Sequence, residues 1–105
     1  MQLRFEHDTD GGNYVVWLEG DDSGRPAGLI SYRDQGAARD LAHTEVRPDL
    51  QGQGIAGKLT AYAISDIREA GLELIPGCPY IHDYVVRHPE DQEFVPAAWR
   101  AANGL

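Results

Sequence analysis

The sequence contains a single cysteine, Cys78, so no disulfide can form within the chain. Disulfides are typical of secreted proteins, and their exclusion fits a protein of the reducing cytoplasm. No apolar run approaches the roughly 20 residues of a membrane-spanning helix. Polar and apolar residues alternate over residues 1–7, which is not the pattern of a signal peptide. We therefore expect a cytoplasmic protein with no membrane partner.

Positive charge is also scarce. Nine Lys and Arg residues stand against 17 Asp and Glu, the formal net charge is −8, and Lys58 is the only lysine. Binding of duplex nucleic acid needs clustered Lys and Arg, so the composition argues against a nucleic-acid partner. An acidic protein attracts cationic substrates such as amines, although acidity more commonly serves solubility alone.

The length and residue pattern predict one mixed α/β domain. We take residues 1–105 as a single domain, because this length supports one core and little else. Alternation and β-forming residues predict four strands at 3–7, 14–18, 27–33 and 40–46. Short loops join them, so neighbouring strands should be antiparallel.

In the second half of the chain, the spacing of the apolar residues changes from the two-residue period of strands to that of a helix. Apolar residues recur at helical spacing from Ala56 to Ala70. A fifth strand is predicted at 72–75, and the intervening helix implies that it runs parallel to the fourth. Two further helices are predicted, at 79–88 with Pro79 in its first turn and at 96–102, and the segment 90–94 is predicted to be a loop.

A glycine-rich turn separates the fourth strand from the long helix. Gly52 and Gly54 allow the backbone to approach a ligand closely. The first N–H groups of a helix lack partners and lie at the positive end of its dipole, so the turn predicts an anion site, usually for phosphate. Lys58 in the first helical turn opposes that dipole unless an anion is bound, although a solvated surface lysine is an equally good reading.

Two motifs compete for this turn. Residues 52–58 match the spacing of the nucleotide-hydrolase phosphate loop, G-x-x-x-x-G-K-[ST]. However, Leu59 stands where that motif needs a magnesium-binding hydroxyl, and the next strand runs into Pro76 instead of ending in Asp. The second motif, Q/R-x-x-G-x-G/A, is met by Gln51, Gly54 and Ala56.

The chain resembles the small single-domain subgroup of the GNAT acetyltransferases. The resemblance is carried by this second motif together with the segments 43–46, 75–80 and 87–90. The resemblance extends from about residue 41 to 90. It implies acetyl-CoA as the cofactor and N-acetyl transfer to a primary amine, on a small molecule or a peptide, by direct attack in a ternary complex. The alternative is an acetyl-CoA-binding module with little or no turnover. The resemblance implies no metal.

The resemblance also assigns roles to individual residues. The pyrophosphate would bind the loop, with charge from Lys58 and Arg47, and the pantetheine arm would pair with the fourth strand at Thr44 and Val46. The loop residues are Gln51, Gly52, Gln53, Gly54, Ile55 and Ala56.

Three residues are candidates for the chemistry. Glu45 is a candidate general base, Cys78 could shape the acetyl pocket, protonate the thiolate or carry acetyl transiently, and Tyr80 could act as general acid. Each has a structural alternative: an exposed strand Glu, a small buried apolar residue, and a core aromatic.

Two elements of typical GNAT domains have no counterpart here: a helical segment between the first two strands and two strands at the end. The first wall of the substrate cleft is therefore reduced, and the acceptor stays unassigned. Two exposed sheet edges in so small a fold would suit a homodimer.

Overall fold

The strands and helices follow one another in the predicted order. A computed structural model describes all of residues 1–105. The strands are β1 (Leu3–Asp8), β2 (Asn13–Leu18), β3 (Gly28–Gln35), β4 (Ala38–Val46) and β5 (Glu73–Ile75). The helices are α1 (Ile55–Glu69), α2 (Pro79–Arg87) and α3 (Ala97–Asn103), with 3₁₀ turns at Pro48–Leu50 and Pro89–Phe94. No helix has both the length and the apolarity needed to cross a membrane.

The five strands form one sheet in the order β1-β2-β3-β4-β5. The first four are antiparallel neighbours, because short loops join them. β5 pairs parallel to β4, since α1 carries the chain back along the sheet between them. The predicted mixed α/β fold is thereby confirmed, and α1 begins just beyond the end of β4.

The inner face of the sheet packs against the helices. Tyr14, Ile30 and Leu41 on this face are fully buried in one cluster with residues of α1 and α2, and Trp99 of α3 packs against it. Four residues of the predicted apolar stripe of α1 lie in the cluster: Leu59, Ala63, Ile64 and Ile67. Ile55, just before the predicted stripe, joins them, whereas Ala56 and Ala70 at the ends of the stripe do not. Burying each such large aliphatic side chain stabilises the fold by about 1.5–3 kcal/mol.

The outer face of the sheet has no helix packed on it. The register places Leu29 and Glu45 side by side there, with Ser31 beside His43. The side chains of His43 and Glu45 are 60% and 62% exposed. All three helices contact the inner cluster instead, so the outer face is open to solvent around His43 and Glu45, whereas Ala38 and Asp40 beside β5 are buried.

A polar network ties α1 to the inner face at the end far from the glycine turn. The Tyr14 hydroxyl donates to Oδ2 of Asp66 on α1 (2.7 Å) and accepts from Nη1 of Arg39 (2.8 Å). Burial raises the pKa of Tyr14 well above its ordinary value, and the carboxylate of Asp66 raises it further. The hydroxyl therefore remains a donor, and it fixes the axial position of α1 on the sheet.

The β3–β4 hairpin is longer than the sequence pattern predicts. The third strand was predicted to end at residue 33 and the fourth to begin at residue 40, but Asp34 pairs with Arg39 and Gln35 with Ala38. Two hydrogen bonds join the Arg39 guanidinium to the Asp34 carboxylate (2.7 and 3.1 Å), which extends the ladder to its end. Residues 90–94, expected to form a loop, lie in the second 3₁₀ turn.

Candidate active site

A glycine loop connects the turn after β4 to α1. Gly52 and Gly54 have φ of +84° and +77°, in the left-handed region that glycine adopts without steric cost. A Cβ at either position would have no neighbour within 4 Å, so the space beside the loop is open. Gly54 is the N-cap of α1, and no side chain caps the helix.

The backbone N–H groups of residues 52–57 have no hydrogen-bond acceptor in the protein. The bonds that start the helix begin with the Lys58 N–H, which donates to the Gly54 carbonyl (3.2 Å). The side-chain amide of Gln51 turns away from the loop and donates to the Val46 carbonyl (3.4 Å). Free N–H groups at the positive end of a helix dipole are the usual ligands of a phosphate group.

β4 and β5 separate partway along β4. Only Ala38, Arg39 and Asp40 pair with β5, and one more hydrogen bond joins the Cys78 N–H to the Leu41 carbonyl (3.0 Å). Residues 42–46 continue β4 without a partner on that side. The sheet therefore opens into a gap that widens from Leu41 toward the glycine loop.

An extra residue in β4 marks the point of separation. Ser31 pairs with His43, and the next residue of β3, Tyr32, pairs with Leu41. Ala42 thus has no partner on β3 and forms a β-bulge. Bulges bend a strand and increase its local twist, which explains why the second half of β4 diverges from β5.

Two clefts flank the glycine loop. The larger, about 540 Å³, lies along the second half of β4, and the smaller, about 390 Å³, lies between α1 and α2. The predicted site residues in the first are Thr44, Glu45, Val46, Arg47 and Gln51; those in the second are Gly54, Lys58 and Tyr80. The free N–H groups thus lie between the two clefts.

Arg47 differs from its predicted role as a free positive charge beside the loop. Its side chain is only 7% exposed, and its guanidinium is bound by Asp21 (2.9 Å) and Asp49 (2.8 Å). It also donates to the Ser23 hydroxyl (2.8 Å). Two carboxylates therefore neutralise Arg47, which ties the β2–β3 loop to the end of β4.

This ion pair makes a prediction about acid stability. Hydrogen bonds from Arg47 and, secondly, Ser23 lower the pKa of Asp21 from 3.8 to about 2. A lowered pKa in the folded state stabilises the protein above pH 3.8, and the effect is lost as the pH falls toward 2. Asp21→Asn should therefore lower the melting temperature at neutral pH, and the deficit should shrink on acidification.

Thermal melts of Asp21→Asn across this pH range, beside Asp22→Asn as the exposed neighbouring control, measure the effect. A deficit of the same size at neutral and acid pH would contradict the ionic origin of the stabilisation.

Lys58, in contrast, is exposed and forms no ion pair with any carboxylate. It lies in the first turn of α1 and lines the smaller cleft with Gly54 and Gly57. Its charge and the positive helix end are therefore close together and uncompensated within the protein.

The three residues predicted for chemistry do not converge on one point. Glu45 lies on the outer face, 3.2 Å from His43, at the wide end of the gap. Cys78 is the N-cap of α2, as predicted, but its side chain is buried in the core cluster at the narrow end. Tyr80 points toward the first turn of α1, where its hydroxyl lies 3.7 Å from the position of a Cβ on Gly57.

Sequence reasoning missed one feature of β4. Oδ1 of Asp40 and Oγ1 of Thr44 are buried side-chain atoms without a hydrogen-bond partner. Asp is disfavoured in strands and rarely buried, which was the available signal at Asp40. Thr44 was predicted as a cofactor contact, but its unpaired hydroxyl could not be read from the sequence.

Comparison with known proteins agrees with this geometry. Residues 13–94 match the profile of the family described as GCN5-related N-acetyl-transferase. The solution structure of a GCN5-like N-acetyltransferase candidate from Staphylococcus aureus is 22% identical and superposes with a TM-score of 0.68. The match covers 88% of this chain and 86% of that one, which shows a shared fold.

A crystal structure of nourseothricin acetyltransferase matches a smaller part of the chain. It is 26% identical, with a TM-score of 0.47 over 59% of this chain and 36% of its own. Since the family profile covers more than three quarters of the sequence, the chain belongs to the GCN5-related N-acetyltransferase family, whose general activity is acetyl transfer.

Proposed function

We propose that this protein binds acetyl-CoA and transfers its acetyl group to a primary amine by direct attack in a ternary complex. The observation that carries the proposal is the row of free N–H groups at residues 52–57, beside the unpaired edge of β4. The free N–H groups can bind a diphosphate, and the unpaired strand edge can form hydrogen bonds with an arm that contains amide groups.

The pyrophosphate would bind the N–H groups of the loop from Gly52 onward. Lys58 is the cation available to it, because Arg47 is already neutralised by Asp21 and Asp49. No side chain fills the space beside Gly52 or Gly54, so a phosphate can approach the backbone closely. Each such contact joins a charge to a backbone donor and is stronger than a neutral hydrogen bond.

The pantetheine arm would run along the unpaired edge of β4, where the backbone of Thr44 and Val46 can bind its amides. From pyrophosphate to sulfur, the arm is about as long as five residues of extended strand. Measured back from Val46, that length brings the thioester near Leu41, where the gap closes at Cys78.

The chemistry at that point is amide formation. The amine nitrogen attacks the thioester carbonyl carbon, the C–N bond forms, and the C–S bond breaks with release of the thiolate. The proton lost by the amine nitrogen balances the proton gained by the thiolate. Tyr80 is the candidate donor to the sulfur, and Cys78 helps to shape the acetyl pocket from its place in the core.

A binding module with little turnover is the second candidate. It is favoured by the open outer face, since no helix lies between β1 and β2 and nothing encloses an acceptor. A molecule that binds acetyl-CoA without positioning an amine would have the same loop and gap but would lack the rate gain from orientation.

Titration calorimetry with acetyl-CoA and a thiol-release assay separate these functions. The assay would use polyamines, lysine peptides and aminoglycosides as acceptors. Binding with acceptor-dependent thiol release supports transfer, whereas binding without release from any acceptor supports the module. Absence of acetyl-CoA binding would overturn both.

Lys58→Ala should weaken acetyl-CoA binding by about tenfold, the effect of losing one charge-assisted contact of roughly 1.5 kcal/mol. The ligand-free protein should be as stable or slightly more so, because a cation at a helix N-terminus is unfavourable. Calorimetry and thermal melts measure both effects, with Lys58→Arg as the charge-preserving control. A clear loss of stability without ligand would contradict this account of Lys58.

A further inference from the structure

We propose that the cleft between α1 and α2 binds the 3′-phosphate on the ribose of CoA, with Arg87 as the residue that recognises it. The protein therefore prefers CoA over 3′-dephospho-CoA, which has the same pantetheine arm and diphosphate but lacks this phosphate. The inference rests on the proposed function and extends it to the adenosine end of the cofactor.

The order of the parts of CoA leads to this cleft. The diphosphate joins the pantetheine arm to the adenosine, so the two parts leave it on different sides. The free N–H groups of residues 52–57 lie between two clefts, and the proposed arm follows β4 along the larger one. Gly54, within this row of N–H groups, lines the smaller cleft, which is thus the cleft left for the adenosine and its phosphate.

The charged residues that line the smaller cleft are all basic. They are Lys58, Arg87 and His88, and no carboxylate lines the cleft with them. This is unusual in a chain with 17 acidic and nine basic residues, in which most arginines are paired with carboxylates. Because basic groups gathered in a cleft attract anions, the lining indicates a site for an anionic group.

The larger cleft is less suited to a further phosphate. Arg25 and Arg47 line it, but Asp21 and Asp49 already neutralise Arg47. Glu45 also lines this cleft, and its carboxylate would repel a phosphate. Arg25 is therefore the one alternative cation, and it provides a direct comparison for Arg87.

Arg87 is available to a ligand although it forms an ion pair. Its Nη2 lies 3.0 Å from Oδ2 of Asp83, one turn earlier on α2, and the two side chains are 61% and 64% exposed. An exposed pair of this kind contributes little to stability. The guanidinium can therefore exchange this carboxylate for a phosphate, which it can bind through two parallel hydrogen bonds.

His88 is oriented by its neighbour Tyr84. Its Nδ1 donates to the Tyr84 carbonyl (2.7 Å), and the two rings stack with their centroids 3.9 Å apart. Because Nδ1 is the donor to the backbone, Nε2 is the nitrogen left for a ligand. On the α1 side, the lining residues Gly57 and Ala61 are small. The resulting volume of about 390 Å³ is in the range of roughly 300–1,000 Å³ that is typical of small-molecule sites.

The test is titration calorimetry with CoA and with 3′-dephospho-CoA. Wild-type protein should bind CoA about tenfold or more tightly, the effect of one charge-assisted contact. In Arg87→Gln this preference should shrink to about twofold or less, because the contact to the phosphate is lost. The affinity of this variant for 3′-dephospho-CoA should stay at the wild-type value. Lys58→Ala should weaken both ligands, since Lys58 also serves the diphosphate.

Two further variants sharpen the comparison. Arg25→Gln is the matched control, because it removes an arginine that lines the larger cleft, and it should keep the wild-type preference. Asp83→Asn removes the carboxylate that competes for Arg87, so it should increase the preference for CoA. Thermal melts without ligand check that each variant is folded.

Equal affinities of the wild-type protein for the two ligands would overturn this inference alone and leave the proposed function in place. A preference that survives in Arg87→Gln, or that is lost in Arg25→Gln instead, would also overturn it, because the phosphate would then bind elsewhere. If the wild-type protein binds neither ligand, the proposed function itself fails, and the inference fails with it.

Discussion

Gly54→Glu is expected to abolish acetyl-CoA binding while leaving the protein folded. The residue caps α1 with φ of +77° and lies within the row of free N–H groups. A carboxylate there would occupy the anion site itself, so its charge would repel the pyrophosphate and its side chain would block close approach. The expected loss exceeds that of any single contact, because the whole phosphate site is blocked.

Gly71→Glu is the matched control for strain. Gly71 lies beyond the other end of the same helix, with φ of +72° and no neighbour within 4 Å of a Cβ. Each substitution should cost about 1–2 kcal/mol of folding free energy, since a non-glycine residue is placed in the left-handed region. Calorimetry should then show lost binding in Gly54→Glu alone. Normal affinity in that variant would mean that the diphosphate binds elsewhere.

Leu59→Ala is expected to have the largest effect on stability. Leu59 is fully buried in the core cluster, in the second turn of α1. Truncation of a buried Leu removes its apolar contacts and leaves a cavity, at a cost of about 2–5 kcal/mol. Domains of this size are stable by only about 5–15 kcal/mol, so the variant should lose a large fraction of its stability.

Denaturant titration measures this loss, with Val86→Ala as the control. Val86 is 47% exposed on α2, so its truncation removes few contacts and should be close to neutral. Since α1 carries the N–H groups of the loop, acetyl-CoA should partly restore the stability of Leu59→Ala by binding the folded state. Equal stabilities of the two variants would contradict the assigned core.

The sequence was sufficient to predict the fold because each element carries its own signal. The two-residue alternation of β1 and the helical stripe of α1 are both present in the burial pattern. Gly52 and Gly54 could be recognised because positive φ leaves few alternatives to glycine. The glycine loop is formed by residues that are adjacent in the sequence, so a short sequence motif is sufficient to identify it.

The contacts between distant segments around the site could not be predicted in the same way. The burial of Asp40 depends on Gly77, which lies far along the chain and meets it only through β5. The neutralisation of Arg47 depends likewise on Asp21 in a distant loop. Contacts between segments that are distant in the sequence leave no periodic pattern. Arg47, close to the motif, was therefore expected to carry an unpaired charge, although it forms ion pairs.

The unpaired Ala42 also decides which side chains face the core. A strand alternates strictly, so without an additional residue Leu41, His43 and Glu45 would share one face. With it, Leu41 packs inward and the two polar residues point outward, while Thr44 lies on the inner face beside its cross-strand partner Ile30. Deleting this one alanine would therefore turn His43 and Glu45 toward the hydrophobic interior. The direction in which the side chains of β4 point and the opening of the sheet thus depend on the same residue.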